Sequence, residues 1–171
     1  MVTLVHGLPG SGKSAYYERE IEQHHEASII YFATLLETAA NAEFINRHIM
    51  RRSKRWQVIV TSGDIEDDRV ALLQLVNGIS TCKIILIDSL MNWCESCANQ
   101  KWDYLNIANH LANVIVNIIN AHHCIEWYIL DYSQICFKQI PTLFEVWNVL
   151  YQTIISQVKG INCVDWGGDK R

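Results

Sequence analysis

Short hydrophobic runs alternate with longer amphipathic segments along the chain. The runs are almost continuously apolar and rich in β-branched or aromatic residues, which is typical of strands covered on both faces. They predict strands at 2–6 (VTLVH), 28–33 (SIIYFA), 56–61 (WQVIVT), 83–88 (KIILID) and 126–131 (EWYILD). The amphipathic segments predict helices at about 12–24, 38–50, 65–77, 103–121 and 143–158.

This order of elements favours an α/β fold. Strands joined through helices form a mainly parallel sheet with helices on both faces. The length of 171 residues favours a single domain over 1–171. Ligands of such sheets lie at the carboxyl ends of the strands. The residues directly after each hydrophobic run are therefore the first candidates for a site.

The segment after the first predicted strand is a phosphate loop. HGLPGSGKS (6–14) contains the pattern GxxxxGK[ST], which comprises Gly7, Leu8, Pro9, Gly10, Ser11, Gly12, Lys13 and Ser14. The glycines let backbone N–H groups point into one concavity at the positive end of the next helix. Lys13 is expected to reach the terminal phosphates of a nucleotide, and Ser14 to ligate Mg2+. The motif predicts a P-loop NTPase domain.

An acidic residue ends the fourth predicted strand, where a P-loop protein needs a carboxylate to hold magnesium through water. Asp88 occupies this position. The alternative is that Asp88 caps the following helix, since Asp at a strand end commonly opens the next helix. The phosphate loop favours the magnesium role. Asp131, after EWYIL, is a second candidate of the same kind.

The window 48–56 holds the one concentrated basic cluster of a protein whose net charge is -4. A histidine that faces phosphates can act as a nucleophile, because neutral imidazole attacks phosphorus, and His48 is the candidate. Arg52 and its neighbours would neutralise charge on the phosphate oxygens. The alternative is a solvated helix end, whose cations favour the negative end of the helix dipole. The residues alone leave both interpretations open.

Composition argues against several other classes of protein. With 50% hydrophobic and 19% charged residues, the chain is neither disordered nor suited to a broad nucleic-acid surface. It has no signal segment and no apolar run that spans a bilayer, which predicts a cytoplasmic protein. The cysteines, including Cys94 and Cys97, are interpreted as reduced thiols rather than a metal or redox site. His24 and His25 are expected to be solvated.

Together the motifs resemble those of the bifunctional adenosylcobinamide kinase/adenosylcobinamide-phosphate guanylyltransferase family of cobalamin biosynthesis. The matching segments are Ser11-Gly12-Lys13-Ser14, Tyr31-Phe32-Ala33-Thr34, His48-x-x-x-Arg52-x-x-x-Trp56, and Asp88-Ser89-Leu90 followed by Trp93. Their order agrees over nearly the whole chain. The resemblance implies a P-loop domain that associates as a trimer, with a GTP or ATP substrate and a corrinoid substrate.

The resemblance also implies the chemistry. A kinase activity phosphorylates the aminopropanol hydroxyl of adenosylcobinamide, and a transferase activity passes GMP from GTP to that phosphate. His48 would carry the GMP, with pyrophosphate released in the first half-step. Lys13 would be the second catalytic residue by holding the phosphates, and Ser14 and Asp88 would carry Mg2+.

Three features depart from the family pattern. The strand-end motif N-E-x-G is replaced by residues 133–136 (SQIC), the threonine of D-C-L-T by Met91, and the acidic residues before the histidine by Glu37 and Glu43 at shifted positions. The lost strand-end carboxylate bears mainly on the kinase activity, where it would serve as base or metal support. Two alternatives therefore stay open: a small-molecule or nucleotide kinase in which Arg51 to Arg55 clamp ATP, and a nucleotide-binding homologue with weakened catalysis.

Overall fold

Six parallel strands form one sheet in the computed structural model, which describes residues 1–38, 41–78, 83–98, 103–137 and 139–167. The spatial order of the strands is β3-β2-β4-β5-β1-β6. The strands are β1 (Val2–Gly7), β2 (Ser28–Ala33), β3 (Gln57–Val60), β4 (Lys83–Asp88), β5 (Ile125–Tyr132) and β6 (Ile161–Trp166). The parallel α/β prediction is confirmed.

Helices cover both faces of the sheet, as the continuous apolar runs predict. They are α1 (Lys13–Glu22), α2 (Ala42–Arg51), α3 (Ile65–Asn77), α4 (Leu90–Ala98), α5 (Tyr104–Ala121) and α6 (Pro141–Gln157). A 3-10 helix, Gln134–Phe137, follows β5. One core lies between the sheet and α3 to α6. The other lies on the α1 face, where Tyr17 and Ile21 pack with Trp56 and Trp166.

Among the strands and α-helices, β6 and α4 were absent from the sequence prediction, as was the 3-10 helix. β6 (INCVDW) lies at the edge of the sheet and is mostly exposed, so it lacks the continuous apolar run of the inner strands. The nine residues of α4 begin only two positions after β4. The predicted helix at 38–50 was too long at its start, because α2 begins at Ala42; residues 39 and 40 lie outside the described part.

The strand order places β5 between β1, which leads into the phosphate loop, and β4, which ends at Asp88. Gly7 pairs with Tyr132, and Asp88 pairs with Leu130. The carboxyl ends of these three strands therefore lie side by side. Asp131 and Tyr132, at the end of β5, are placed between the loop and Asp88.

Candidate functional site

The phosphate loop follows β1 and leads directly into α1. Gly12, the residue before the first helical position, has a φ of 85°, in the left-handed region that glycine adopts without a steric penalty. Gly7 pairs with Trp166, and a Cβ at Gly7 would lie 3.0 Å from the Trp166 Cβ. The Trp166 indole donates a hydrogen bond to the Ser11 carbonyl at 2.9 Å. The last strand therefore anchors the loop, a contact that the motif alone does not reveal.

The loop forms one wall of a cavity of about 320 Å³. Residues 9–14 line it, while Gly7 and Leu8 precede this lining segment. The cavity is also lined by Tyr31, His48, Arg52, Asp88 and Tyr132. The fold thus brings together Lys13, Ser14, His48, Arg52 and Asp88, which are far apart in sequence.

Lys13 is a buried residue of the cavity lining. Its ammonium is 3.4 Å from the Leu8 carbonyl and 5.3 Å from the centre of the Tyr132 ring. Burial lowers the pKa of Lys13, and the nearby carboxylates of Asp88 and Asp131 oppose that effect. The ends of β4 and β5 therefore place two carboxyl groups, those of Asp88 and Asp131, near the buried ammonium of Lys13.

Asp88 is not the cap of the helix that follows it. The Ser89 hydroxyl accepts from the Asn92 N–H at 3.3 Å and takes that role at the start of α4. The Asp88 carboxylate accepts instead from the Tyr31 hydroxyl at 3.4 Å. Asp88 and Ser14 line the same cavity and offer the hard oxygen donors that Mg2+ prefers.

The metal-ligand chemistry of the described residues also fits magnesium. They include no group of three or more His, Cys, Asp or Glu side chains that could hold a metal ion. Mg2+ commonly takes one or two protein oxygens and completes its octahedron with water and substrate phosphates. Ser14 and Asp88 match this sparse pattern, whereas a zinc centre needs a fuller set of protein ligands.

Asp131 is a fully buried carboxyl beside this site. Its Oδ1 accepts from the Met91 N–H at 3.2 Å, and its side chain is absent from the cavity lining. Burial raises the pKa of Asp131 to about 7, although Lys13 opposes the rise. Sequence reasoning placed Asp131 correctly at a strand end but gave no sign of its burial.

Asp131→Asn is expected to stabilise the protein more at pH 8 than at pH 4. The native carboxyl binds its proton more tightly than the unfolded one, so the free energy of unfolding falls as pH rises from about 4 to 7. The change removes a cost of roughly 4 kcal/mol at pH 8 and keeps an oxygen for the Met91 N–H. Urea unfolding of the wild type and of Asp131→Asn at pH 4 and pH 8 measures the difference in the free energy of unfolding. An equal difference at the two pH values would rule out a raised pKa.

His48 belongs to a ring of four side chains. The Nε atoms of Arg51 and Arg52 donate to the two carboxylate oxygens of Glu18, at 2.5 and 2.9 Å. One terminal nitrogen of each arginine lies near the His48 Nδ1, at 3.3 and 3.2 Å. Burial lowers the pKa of His48; Arg51 and Arg52 lower it further, while Asp88 and Glu18 act against this. The imidazole is therefore neutral at neutral pH.

The arginines of the basic window, residues 48–56, bind two different glutamates of α1. Arg51 and Arg52 pair with Glu18 at the cavity, whereas Arg55 pairs with Glu22 and also donates to the His24 and His25 carbonyls. The Trp56 indole donates to Glu22 as well. Arg55 does not line the cavity. The idea of one continuous clamp from Arg51 to Arg55 is thus wrong, because the helix holds Arg55 elsewhere.

A chain of contacts joins the candidate metal ligand to the candidate nucleophile. The Arg52 guanidinium stacks 3.3 Å from the centre of the Tyr31 ring, and the Tyr31 hydroxyl reaches Asp88. Only 4% of the Arg52 side chain is exposed. Arg52 is therefore held on three sides, by Tyr31, Glu18 and His48, which fixes its position in the cavity wall.

The remaining predicted residues have structural roles or lie away from the cavity. The Trp93 indole donates to the buried Asp68 carboxylate at 2.7 Å. Burial raises the pKa values of Cys94 and Cys97 to about 12, which keeps both as thiols. Cys82 lies outside the described residues.

The exposure expected for His24 and His25 is confirmed. No helix in the described ranges is long and apolar enough to cross a membrane.

Comparisons with known proteins identify the fold and the family. Among solved structures, the chain is similar to one whose title describes an ATPase domain, with a TM-score of 0.57 and 11% identity over 95% of this chain and 68% of that one. This likeness supports the P-loop fold alone. No curated protein sequence matches the chain. A protein-family model described as cobinamide kinase / cobinamide phosphate guanyltransferase matches residues 3–129, well over half of the chain. That match confirms the resemblance carried by the motifs: the chain belongs to the cobinamide kinase / cobinamide phosphate guanyltransferase family and is a nucleotide-binding transferase of cobalamin biosynthesis.

Proposed function

We propose that this enzyme phosphorylates adenosylcobinamide and then transfers GMP from GTP to the new phosphate, with His48 as the carrier of GMP. The observation that carries this proposal is the placement of His48 in the same cavity as the phosphate loop. Burial and two arginines keep its imidazole neutral, as a nucleophile must be.

The phosphate loop is the proposed seat of the nucleotide. The backbone N–H groups of the loop and the positive end of α1 favour a polyphosphate. Lys13 supplies the ammonium beside the phosphates. Ser14 and Asp88 would hold Mg2+, which neutralises phosphate charge when bound. The resemblance names GTP for the transferase step, and the loop itself grips any nucleoside triphosphate.

In the first half-step, a ring nitrogen of neutral His48 attacks the α-phosphorus of GTP. An N–P bond forms while the bond from the α-phosphorus to the bridging oxygen breaks, and pyrophosphate leaves with that electron pair. The proton on the other ring nitrogen is then released to solvent. The product is a histidine phosphoramidate of GMP, which is reactive enough to pass on its group.

In the second half-step, a phosphate oxygen of adenosylcobinamide phosphate attacks the same phosphorus. The N–P bond breaks, its electron pair returns to the imidazole, and the ring regains a proton. Arg51 and Arg52 would stabilise the charge that develops on the phosphoryl oxygens in both half-steps. Each guanidinium has five N–H groups, and the contacts to Glu18 and His48 occupy two of them.

The cavity also has an apolar wall suited to a second substrate. Ile49, Val58 and Val60 line it and are about half exposed, at 51%, 46% and 56%. These side chains offer no donor to a phosphate. A corrinoid presents a large apolar surface, and burying it against this wall is favourable. We therefore place the corrinoid against these apolar residues of the cavity lining.

The kinase step is compatible with the altered strand end at residues 133–136. Phosphoryl transfer depends mainly on positioning and charge stabilisation, with little covalent chemistry for the protein to perform. Lys13 and the proposed metal ligands supply both. A glutamate at position 134 is therefore not a strict requirement for phosphorylation. The trimer stays a prediction from the family resemblance.

Two labelled nucleotides test the proposed function. The protein is incubated with adenosylcobinamide, Mg2+ and GTP labelled at either the α- or the γ-phosphate, and the corrinoid products are separated. We expect the γ label first in adenosylcobinamide phosphate and the α label only in the GMP-bearing product. A parallel reaction with γ-labelled ATP shows which nucleotide donates the phosphoryl group.

The same products discriminate the two alternatives. A γ label in adenosylcobinamide phosphate, without α label in any corrinoid, would leave only a kinase. No label in any corrinoid, together with nucleotide binding by calorimetry, would leave a binding protein with weakened catalysis. Either outcome contradicts the proposal.

A further inference from the structure

We infer that Glu18 is a positioning residue that determines which nitrogen of His48 attacks phosphorus, namely Nδ1. The inference rests on the proposed function of His48. It concerns a residue outside the motif segments of the sequence, on the helix that follows the phosphate loop. Its basis is the ring formed by Glu18, Arg51, Arg52 and His48.

The two arginines determine where the imidazole of His48 carries its proton. Arginine has five N–H donors and no acceptor, and it stays protonated in proteins. Two arginine nitrogens lie 3.3 and 3.2 Å from the His48 Nδ1. Nδ1 must therefore be the acceptor, and in neutral imidazole the single proton then resides on Nε2. The nucleophilic lone pair is on Nδ1.

Glu18 holds the two like charges against this one nitrogen. Arg51 and Arg52 repel each other, and an imidazole lone pair is a weak counterweight. Glu18 binds one arginine through each carboxylate oxygen, and only 7% of its side chain is exposed. Charge-assisted hydrogen bonds of this kind are strong and directional. Glu18 is therefore the group that keeps both guanidinium groups aimed at Nδ1.

Nucleotide entry changes the partners of the two arginines. Triphosphate oxygens are stronger acceptors for arginine than a neutral ring nitrogen is. We expect the bound phosphates to draw the terminal nitrogens of Arg51 and Arg52 away from His48, while their Nε atoms remain on Glu18. The Nδ1 lone pair is then released beside the α-phosphorus. The N–P bond of the adduct should accordingly be to Nδ1.

Glu22 provides a matched control on the same helix. It lies one turn after Glu18 and also binds the basic window, but through Arg55 and Trp56. Glu22→Gln weakens the attachment of that window without changing the groups around Nδ1. Glu18→Gln leaves an amide that can accept from one arginine and that turns its NH2 towards the other. A purely structural role for these contacts predicts similar effects of the two substitutions.

The test is nitrogen NMR of protein labelled with 15N-histidine, at pH 8 and without nucleotide. We expect an unprotonated Nδ1 and a protonated Nε2 for His48 in the wild type and in Glu22→Gln. Glu18→Gln should give a mixture of the two tautomers and form the GMP adduct roughly tenfold or more slowly. In the wild-type adduct, phosphorus should couple to Nδ1.

Each contrary outcome identifies what has failed. A protonated Nδ1 in the wild type, coupling of phosphorus to Nε2, or an unchanged tautomer in folded Glu18→Gln overturns the inference and leaves the GMP carrier role intact. The expected tautomers with no adduct on exposure to GTP contradict the proposed function instead. If Glu18→Gln does not fold, the wild-type tautomer and the nitrogen that couples to phosphorus still test the inference, because both are measured without any substitution.

Discussion

His48→Ala is expected to abolish GMP transfer to adenosylcobinamide phosphate while phosphorylation of adenosylcobinamide stays within about threefold of wild type. The substitution removes the only proposed carrier of GMP and leaves Lys13, Ser14 and Asp88 in place. Alanine is also a good helix former, so α2 should persist. Product chromatography of each reaction, started from its own substrate, measures the two rates separately.

His123→Ala is the control for that substitution, because His123 is exposed beyond the end of α5. It should leave both rates unchanged. Equal losses of phosphorylation and GMP transfer in His48→Ala would assign His48 to nucleotide binding or to folding. Transfer that survives in His48→Ala would show that GMP passes directly from GTP to the corrinoid.

Lys13→Met is expected to lower both activities by about a hundredfold or more. Methionine keeps an unbranched apolar side chain of similar length at this buried position, but it removes the ammonium beside the phosphates. Because both reactions are proposed to use the same phosphate loop, both should fall together. Steady-state rates with saturating corrinoid and varied GTP measure the loss in kcat and in kcat/KM.

Lys159→Met is the matched control, since Lys159 is exposed in the turn before β6. It should behave like the wild type. A Lys13→Met protein that loses phosphorylation and keeps GMP transfer would show that the two nucleotides bind at different sites. Circular dichroism distinguishes a lost charge from a lost fold, because Asp131 and Asp88 lose their buried counter-charge in this variant.

The inner strands could be predicted because each is a nearly continuous apolar run. Such a run is buried on both faces, and burial leaves a signal in the residues themselves. β6 could not be predicted in the same way, since it lies at the edge of the sheet and Asn162 and Asp165 interrupt its apolar residues. Its position was nevertheless important, because Trp166 at its end fixes the phosphate loop.

Part of the candidate site could also be predicted, because phosphate binding requires a particular local sequence. Glycines, Lys13 and Ser14 must be consecutive to form the loop. The partners of the basic residues at 51–55 could not be predicted, because Glu18 and Glu22 become neighbours of Arg52 and Arg55 only when the fold brings α1 beside this segment. Glu18 and Glu22 are one helical turn apart, as are the arginines that they bind, and this shared spacing was the one indication in the sequence that they could pair.

For Asp131, the position at a strand end could be predicted, but its burial and its raised pKa could not. Its place after an apolar run marks a strand end. Its burial depends on β5 lying between β1 and β4, and strand order is not written in the local sequence. The raised pKa of Asp131 follows from that burial and from nothing in its sequence neighbours.

The position of GMP on the protein tests the carrier role of His48 without any substitution. The wild-type protein is incubated with GTP and Mg2+ without corrinoid, its intact mass is recorded, and it is digested with trypsin at alkaline pH, where phosphoramidates survive. We predict a mass increase of one GMP, located in the peptide of residues 48–51 (HIMR) and lost on mild acid treatment or on addition of adenosylcobinamide phosphate. An unmodified protein, or GMP attached to any other peptide, would contradict the assignment of His48 as the carrier.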